Sequence, residues 1–214
     1  MLESVFWDND GVLVDTEALY YQATREVLAS AGGRLTKRQF LRISLGQGKS
    51  LFSLAKEQGL SQLSVLQLQE ERNARYSELL RKNVRIMDGV EETLRRLQGR
   101  VSMGIVTGSR RDHFEIIHNS TDLLQYFDFV LTREDYEEAK PAPDSYLTAM
   151  VRKGVSPERC LVVEDSERGF KAARNAYIRC LVVPNTFTSE GDFCGAYKIL
   201  DSIREVPSEV LKLQ

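Results

Sequence analysis

The chain has little cysteine, little histidine, no long apolar run and almost no net charge, and each shortage closes off a class of function. Its three cysteines, Cys160, Cys180 and Cys194, form no Cys-x-x-Cys pair and are odd in number. That argues against a disulfide framework or a cysteine zinc site and fits a reducing, cytoplasmic setting. Cys160 and Cys180 fall in apolar, strand-like runs, where a thiol behaves as a small hydrophobe. The two histidines, His113 and His118, are five positions apart, so they do not share a helix face as metal ligands would. Packing or surface roles are expected for both. No window approaches the length of a membrane span, and the opening Met1-Leu2-Glu3-Ser4 lacks the basic and apolar regions of a signal peptide. No membrane partner is expected. A formal net charge of -2 gives no electrostatic case for nucleic acid.

Proline is scarce too, with five in 214 residues and none from 15 to 85. That proline-free stretch reads as helical throughout. Leu19, Thr24 and Val27-Leu28 suggest a helix stopping at Gly32-Gly33, and Thr36 caps a short one through Leu41. Another runs from Ser50 to Gln58 and ends at Gly59. Ser61 opens a longer helix carrying Leu63, Leu66, Tyr76, Leu79 and Leu80. Outside this block the texture alternates. Strands are expected over 2–7, 101–106, 128–131, 160–163, 178–183 and, at an edge, 198–200. Helices fall between them at Val90–Leu97, from about Arg110, at 143–152 and 167–176, with a last one after Pro207. Alternating strands and helices mean βαβ units and a parallel sheet. The expected architecture is α/β: a Rossmann-like parallel sheet core, 1–14 and 86–214, with an inserted all-helical cap domain over 15–85.

The first strand leads into Asp8-Asn9-Asp10-Gly11. Side chains alternate in an extended chain, so Asp8 and Asp10 face the same way at the strand end. Two carboxylates that close persist if a cation sits between them or if one keeps its proton. The bland alternative is a surface turn, since Asp-Gly is ordinary turn chemistry. Ligands of open parallel sheets bind beyond the carboxyl ends of the strands. There this chain offers Asp8 and Asp10, then Thr107-Gly108-Ser109, then Lys140-Pro141, then Glu164-Asp165. Taken singly, Thr107 reads as a helix cap, Lys140 as a loop lysine and Glu164-Asp165 as a solvated strand end. Gathered on one rim they make a magnesium and phosphate site, because magnesium takes one or two carboxylates plus a substrate phosphate.

The order Asp8-x-Asp10, Thr107, Lys140, Glu164-Asp165 resembles the four motifs of the haloacid dehalogenase-like hydrolase superfamily. The wording Asp-x-Asp-Gly-Val-Leu-Val-Asp-Thr-Glu, Val-Thr-Gly-Ser, Lys-Pro-Ala-Pro-Asp and Val-Glu-Asp-Ser-x-x-Gly-x-x-Ala-Ala is similar to its phosphatase and β-phosphoglucomutase branch. The resemblance implies that Asp8 is the nucleophile, forming an aspartyl phosphate, and that Asp10 is the general acid and then the base. It implies that Thr107 and the amides near Asn9 and Gly108 hold phosphoryl oxygens and that Lys140 neutralises charge. Mg2+ would be bound by Asp8, Asp165 and the main-chain carbonyl of Asp10, with Glu164 behind them. The implied enzyme is a phosphatase of a small phosphorylated metabolite, working as a monomer or weak dimer.

Departures and decoys refine this. Gly46-Gln47-Gly48-Lys49-Ser50 looks like a nucleotide loop, but Ile43 stands where the Walker pattern needs glycine, and no strand precedes it. We read it as a substrate loop of the cap, with Lys49 reaching toward the substrate. Mutases of the branch usually carry an arginine in this loop and a histidine early in the first cap helix. This chain has Gly48-Lys49 and Tyr20 there, which disfavours a β-phosphoglucomutase-like phosphotransferase without removing it, since lysine also binds phosphate. For the Tyr20-Tyr21 pair core packing is expected, with a place in the cleft open to one of them. Asn9 replaces a commoner apolar residue, and Tyr177 stands where glycine often follows. Asp10 disfavours a dehalogenase, which has no use for that acid. A catalytically silent binding protein on this scaffold is the alternative of another class, and the intact acid pair, lysine and metal acids argue against it.

Overall fold

The computed structural model describes residues 1–52 and 62–214. The expected helix over 50–58 falls mostly outside them, as do Gly59, Ser61 and the side chain of Leu63. Among the described residues, six parallel strands form one sheet in the order β3-β2-β1-β4-β5-β6. They are β1 Ser4–Trp7, β2 Ser102–Val106, β3 Phe129–Leu131, β4 Cys160–Glu164, β5 Arg179–Val182 and β6 Lys198–Ile199. A parallel sheet is covered on both faces, so its central strands are apolar runs without alternation. Ser-Val-Phe-Trp of β1 and Cys-Leu-Val-Val-Glu of β4 are buried at every position. β1 is central, with Trp7 level with Ile105 of β2 on one side and Val163 of β4 on the other. The chain leaves β1 toward β2 and β3 and later returns to β4 on its other flank. Asp8 therefore emerges at the crevice where the strand order reverses, which is where open α/β sheets hold ligands.

Among the described residues, three α-helices come between β1 and residue 84: α1 Glu17–Ser30, α2 Lys37–Phe40 and α3 Gln62–Asn83. Thr36 starts α2 with a reciprocal cap, its hydroxyl accepting from Gln39 N–H while the Gln39 side chain accepts from the Thr36 N–H. A π-helical turn follows over Leu41–Gly46, which the sequence pattern does not announce. Phe40, Ile43, Leu45, Phe52, Val65 and Leu68 form a hydrophobic cluster of this block's own. Tyr76, Leu79, Leu80 and Ala23 join the main core under the sheet instead. Leu66 is 48% exposed, because the buried stripe of α3 runs through Val65 and Leu68 and leaves Leu66 on the neighbouring face.

The remaining helices, α4 Val90–Leu97, α5 Arg111–His118, α6 Asp144–Lys153, α7 Glu167–Asn175 and α8 Val206–Leu211, accompany the sheet. No helix among the described residues is long and apolar enough to cross a membrane. Between α7 and β5, Tyr177 sits at φ 60 and is 87% exposed. The left-handed conformation costs a residue bearing Cβ about 1–2 kcal/mol, partly offset by the chain entropy glycine would lose. Tyr177→Gly should therefore stabilise the protein by about 0.5–1 kcal/mol, seen as a higher urea midpoint with an unchanged slope.

Candidate active site

The turn after β1 is built on one carbonyl. Asn9 O accepts from Leu13 N–H at 2.8 Å and Val14 N–H at 3.1 Å, folding residues 9–14 back beneath the strand. Gly11 lies at φ 85, and a Cβ there would sit 2.3 Å from Asp165 Oδ2. Glycine at this position is thus required both by backbone conformation and by the approach of β4's end.

Lys140 organises the interior of the site. Its ammonium donates to Asp8 Oδ1 at 2.8 Å, Glu164 Oε1 at 2.7 Å and Val106 O at 2.9 Å, and the residue is only 6% exposed. Burial works against the ammonium, but the charges of Asp8 and Glu164 outweigh it and raise its pKa. Glu164 also accepts from Tyr146 OH at 2.7 Å, so its oxygens are occupied by protein donors. Burial, then the charge of Glu164, pushes Asp8 up to about 7 against the pull of Lys140. Asp165 is raised well above the carboxylate range by burial and by Glu164 and Asp8.

Asp8, Glu164 and Asp165 each offer an oxygen, all within 4.8 Å of one another. Asp165 Oδ2 accepts from Asn185 Nδ2 at 2.7 Å, while its Oδ1 is buried with no hydrogen-bond partner among the described residues. An orphaned carboxylate oxygen among mutually repelling acids fits a hard cation taking oxygen ligands, magnesium above all.

Asp10 has different surroundings. Its Oδ1 accepts from Thr16 Oγ1 at 2.6 Å; its Oδ2 accepts from Ser109 Oγ at 2.7 Å, Thr107 Oγ1 at 3.1 Å and Asn9 Nδ2 at 3.3 Å. Thr16 is the N-cap residue of α1, yet its side chain makes no cap hydrogen bond, having turned to Asp10. The expected phosphate ligand Thr107 is buried and faces Asp10, and Gly108 lines the cavity beside it.

This cavity, of about 150 Å³, opens above Asp8, Asp10 and Lys140. Its far wall carries Tyr20, Arg72, Glu17 and Arg168. Burial pushes Glu17 up to about 8, Arg168 opposing and Asp10 and Asp8 adding to the shift. A second cavity of about 270 Å³ shares Tyr20, Ser44, Arg72 and Arg168 with the first and adds Lys49; its described lining carries no carboxylate. Lys49 is exposed at that mouth. The loop holding it follows a π-helical turn rather than a strand, unlike a nucleotide loop. Tyr20 serves the cleft, its hydroxyl accepting from Arg72 and its ring edge-on to Tyr76 at 5.1 Å. Tyr21 packs against Phe40 at 5.2 Å. Both histidines are buried; His113 lines the cavity, and His118 is hydrogen-bonded to Asn9 and Thr121. The sequence reading did not single out Thr16, Glu17, Ser109, Arg72, Arg168 or Asn185. Thr16, Glu17 and Ser109 are spelled out in the quoted motifs and Arg168 falls at an unspecified position of one, whereas nothing local marks Arg72 or Asn185.

Residues 5–183 match the family described as haloacid dehalogenase-like hydrolase. The chain is 33% identical over 184 residues to a Thermotoga maritima protein named phosphorylated carbohydrates phosphatase, covering 83% of this chain and 82% of that one. It is 31% identical to fructose-1-phosphate phosphatase YqaB of Escherichia coli, covering 80% and 91%. Among solved structures it is similar to CbbY from Rhodobacter sphaeroides in complex with phosphate, with a TM-score of 0.83, 25% identity and 96% of each chain covered.

Glu17 yields a test of these electrostatics. Its pKa rises on folding from 4.5 to about 8, so the folded state binds the extra proton, and stability is lost as pH climbs between those values. Glu17→Gln removes this cost. Its urea midpoint should match wild type near pH 4.5 and exceed it by a margin growing up to pH 8.

Proposed function

The chain belongs to the haloacid dehalogenase-like hydrolases, and on that footing we propose that it is a magnesium-dependent phosphatase of small phosphorylated metabolites, sugar phosphates foremost, acting through an aspartyl phosphate on Asp8. The observation that carries this reading is the buried Lys140 ammonium bridging Asp8 and Glu164 beneath a cavity that Asp10 also lines. A nucleophilic carboxylate attacking a phosphate dianion needs its repulsion cancelled, and phosphoryl transfer depends mainly on positioning and charge stabilisation. Asp8, Asp165 and the Asp10 carbonyl would hold the magnesium, with Glu164 behind them. When bound, the ion supplies positive charge for the carboxylates and the phosphoryl oxygens.

In the first displacement Asp8 Oδ attacks phosphorus, the ester P–O bond breaks, and Asp10 gives its proton to the departing alcohol oxygen. In the second, Asp10 takes a proton from water as the water oxygen attacks phosphorus, the bond between Asp8 Oδ and phosphorus breaks, and phosphate leaves with the Asp8 carboxylate restored. Thr107 Oγ1 and the amides of Asn9 and Gly108 hold the phosphoryl oxygens; those amides have no partner among the described residues. The block from 15 to 85 acts as a cap, its first residues Thr16 and Glu17 already at the cleft, and excludes bulk water during transfer. We place the enzyme in the cytoplasm as a monomer or weak dimer; its buried Cys160 and Cys180 thiols suit a reducing compartment.

The cavity bordered by Lys49, Arg72 and Arg168 favours substrates with a second anionic group or several hydroxyls remote from the reacting phosphate. The names of the carbohydrate and fructose-1-phosphate phosphatases support the same class.

The deciding measurement is phosphate release from a panel of small phosphomonoesters with magnesium or with EDTA. Release should need magnesium, and Asp8→Asn should lower kcat by at least about 10³-fold. No release from any ester would overturn the phosphatase reading. Conversion of glucose 1-phosphate only with a bisphosphate primer would favour the phosphotransferase. Within the panel, Arg72→Ala should raise KM for a sugar bisphosphate about tenfold while changing that for a small monophosphate much less. Steady-state kinetics on the two substrates checks this.

A further inference from the structure

The side chain of Asn9 is wholly buried, and no step of the proposed phosphoryl transfer uses it. Its Nδ2 lies 3.3 Å from Asp10 Oδ2, and its Oδ1 lies 2.9 Å from His118 Nε2. The other ring nitrogen, Nδ1, is 2.8 Å from Thr121 Oγ1. The direction of every bond follows from chemistry. Whenever Asp10 is ionised its carboxylate only accepts, so the amide presents its N–H2 to Asp10 and its oxygen to His118. Nε2 must then carry the imidazole proton. Burial pushes His118 down to about 4 despite the nearby Asp10 charge, so the ring is neutral and Nδ1 accepts from the Thr121 hydroxyl.

We infer that Thr121, His118 and Asn9 form a one-way hydrogen-bond chain that fixes the Asp10 carboxyl for proton transfer, with Asn9 and His118 as positioning residues. The inference rests on the reading of Asp10 as general acid. Among the described residues the other side-chain donors to Asp10 are hydroxyls, from Thr16, Thr107 and Ser109, which can rotate to donate or accept. The Asn9 amide, pinned by His118, can only donate. It reserves Oδ2 as an acceptor and leaves the acidic proton to Oδ1, where Thr16 Oγ1 lies 2.6 Å away. That proton passes to the ester oxygen as the P–O bond breaks. Thr107 is also assigned to the phosphoryl group, so once substrate is bound Oδ2 keeps the contacts of Ser109 and Asn9, of which only the amide is confined to donating.

The experiment compares an alkyl phosphate, whose departing oxygen needs a proton, with p-nitrophenyl phosphate, whose departing oxygen needs little help. Asn9→Leu should lower kcat/KM, which reports the first displacement alone, about tenfold or more on the alkyl ester and change it on the aryl ester by less than about threefold. His118→Phe should do the same, and the double variant should lose no more than either single one. His118→Gln, which can still donate to Asn9, should recover most of the alkyl kcat/KM. Equal losses on both esters, no loss, or losses that multiply in the double variant would overturn the inference. If a single variant melts early, Asn9→Leu with His118→Leu removes both polar partners together and keeps the fold, and the same alkyl-to-aryl comparison decides. Asp10→Asn separates the layers. If it spares alkyl turnover, the general-acid reading itself fails; if it abolishes turnover while Asn9→Leu leaves the ratio unchanged, only the positioning chain fails.

Discussion

The ammonium of Lys140, shared between Asp8 and Glu164 in a dry interior, is the interaction on which the rest of the site depends. Removing an ion from water costs several kcal/mol even after relaxation, so three buried carboxylates cannot stand together without compensation. Lys140 compensates two of them and spends its third donor on Val106 O at the end of β2. One ammonium thereby ties the ends of β1, β2 and β4 to the loop before α6. The compensation is incomplete, because Asp165 keeps a buried oxygen with no donor among the described residues. A fold optimised only for stability would have filled that position with an apolar side chain. The remaining negative charge is what a hard cation would satisfy, so the electrostatic cost of the metal-free state and the proposed function have one origin.

Asp8 and Asp10 are two residues apart, yet their surroundings could hardly differ more. Asp8 meets an ammonium; Asp10 meets hydroxyls and an amide. The first environment, once a cation joins the ammonium, suits a carboxylate that is charged and attacks, and the hydroxyls of the second can serve a carboxyl with or without its proton. The Thr16 hydroxyl, diverted from capping α1, belongs to this arrangement. A capping hydrogen bond contributes about 1 kcal/mol, so the start of α1 gives up local stability to touch Asp10. That contact also fixes the first turn of the proposed cap to the acid it would cover.

Much of this was legible in the chain because the determinants are local. Each of Asp8, Thr107 and Glu164-Asp165 follows an apolar run, and parallel strands bring their carboxyl ends together whatever the intervening sequence. The glycine in Asp10-Gly11 signalled a turn, although its second role, clearing space for Asp165, needed β4 beside it. What stayed hidden is set by distant pairings. Asn185 reaches Gly11 O across 174 positions, and Arg168 shares a cavity with Arg72 from a different element. The exposure of Leu66 has another cause. Periodicity finds a helix's apolar side but not its phase to within one residue when Val65, Leu66 and Leu68 are all candidates. The π-helical turn at Leu41–Gly46 left no mark because its five-residue spacing has no compositional signature.

The Asn9–His118 pair illustrates how cost separates structure from function inside one core. An amide and an imidazole buried together lose their water, and the hydrogen bond between them returns about that loss, so the pair contributes little net stability. Two apolar side chains of similar shape would hold the turn beneath β1 equally well, since that turn is closed by the main-chain carbonyl of Asn9 and not by its side chain. What an apolar pair cannot supply is direction: a donor aimed at one oxygen of Asp10 and prevented from rotating by a ring that is itself anchored at Thr121. Hydroxyls around the same carboxyl supply adaptability, and the amide supplies the fixed reference. A proton that must leave from one oxygen and later return to it benefits from both.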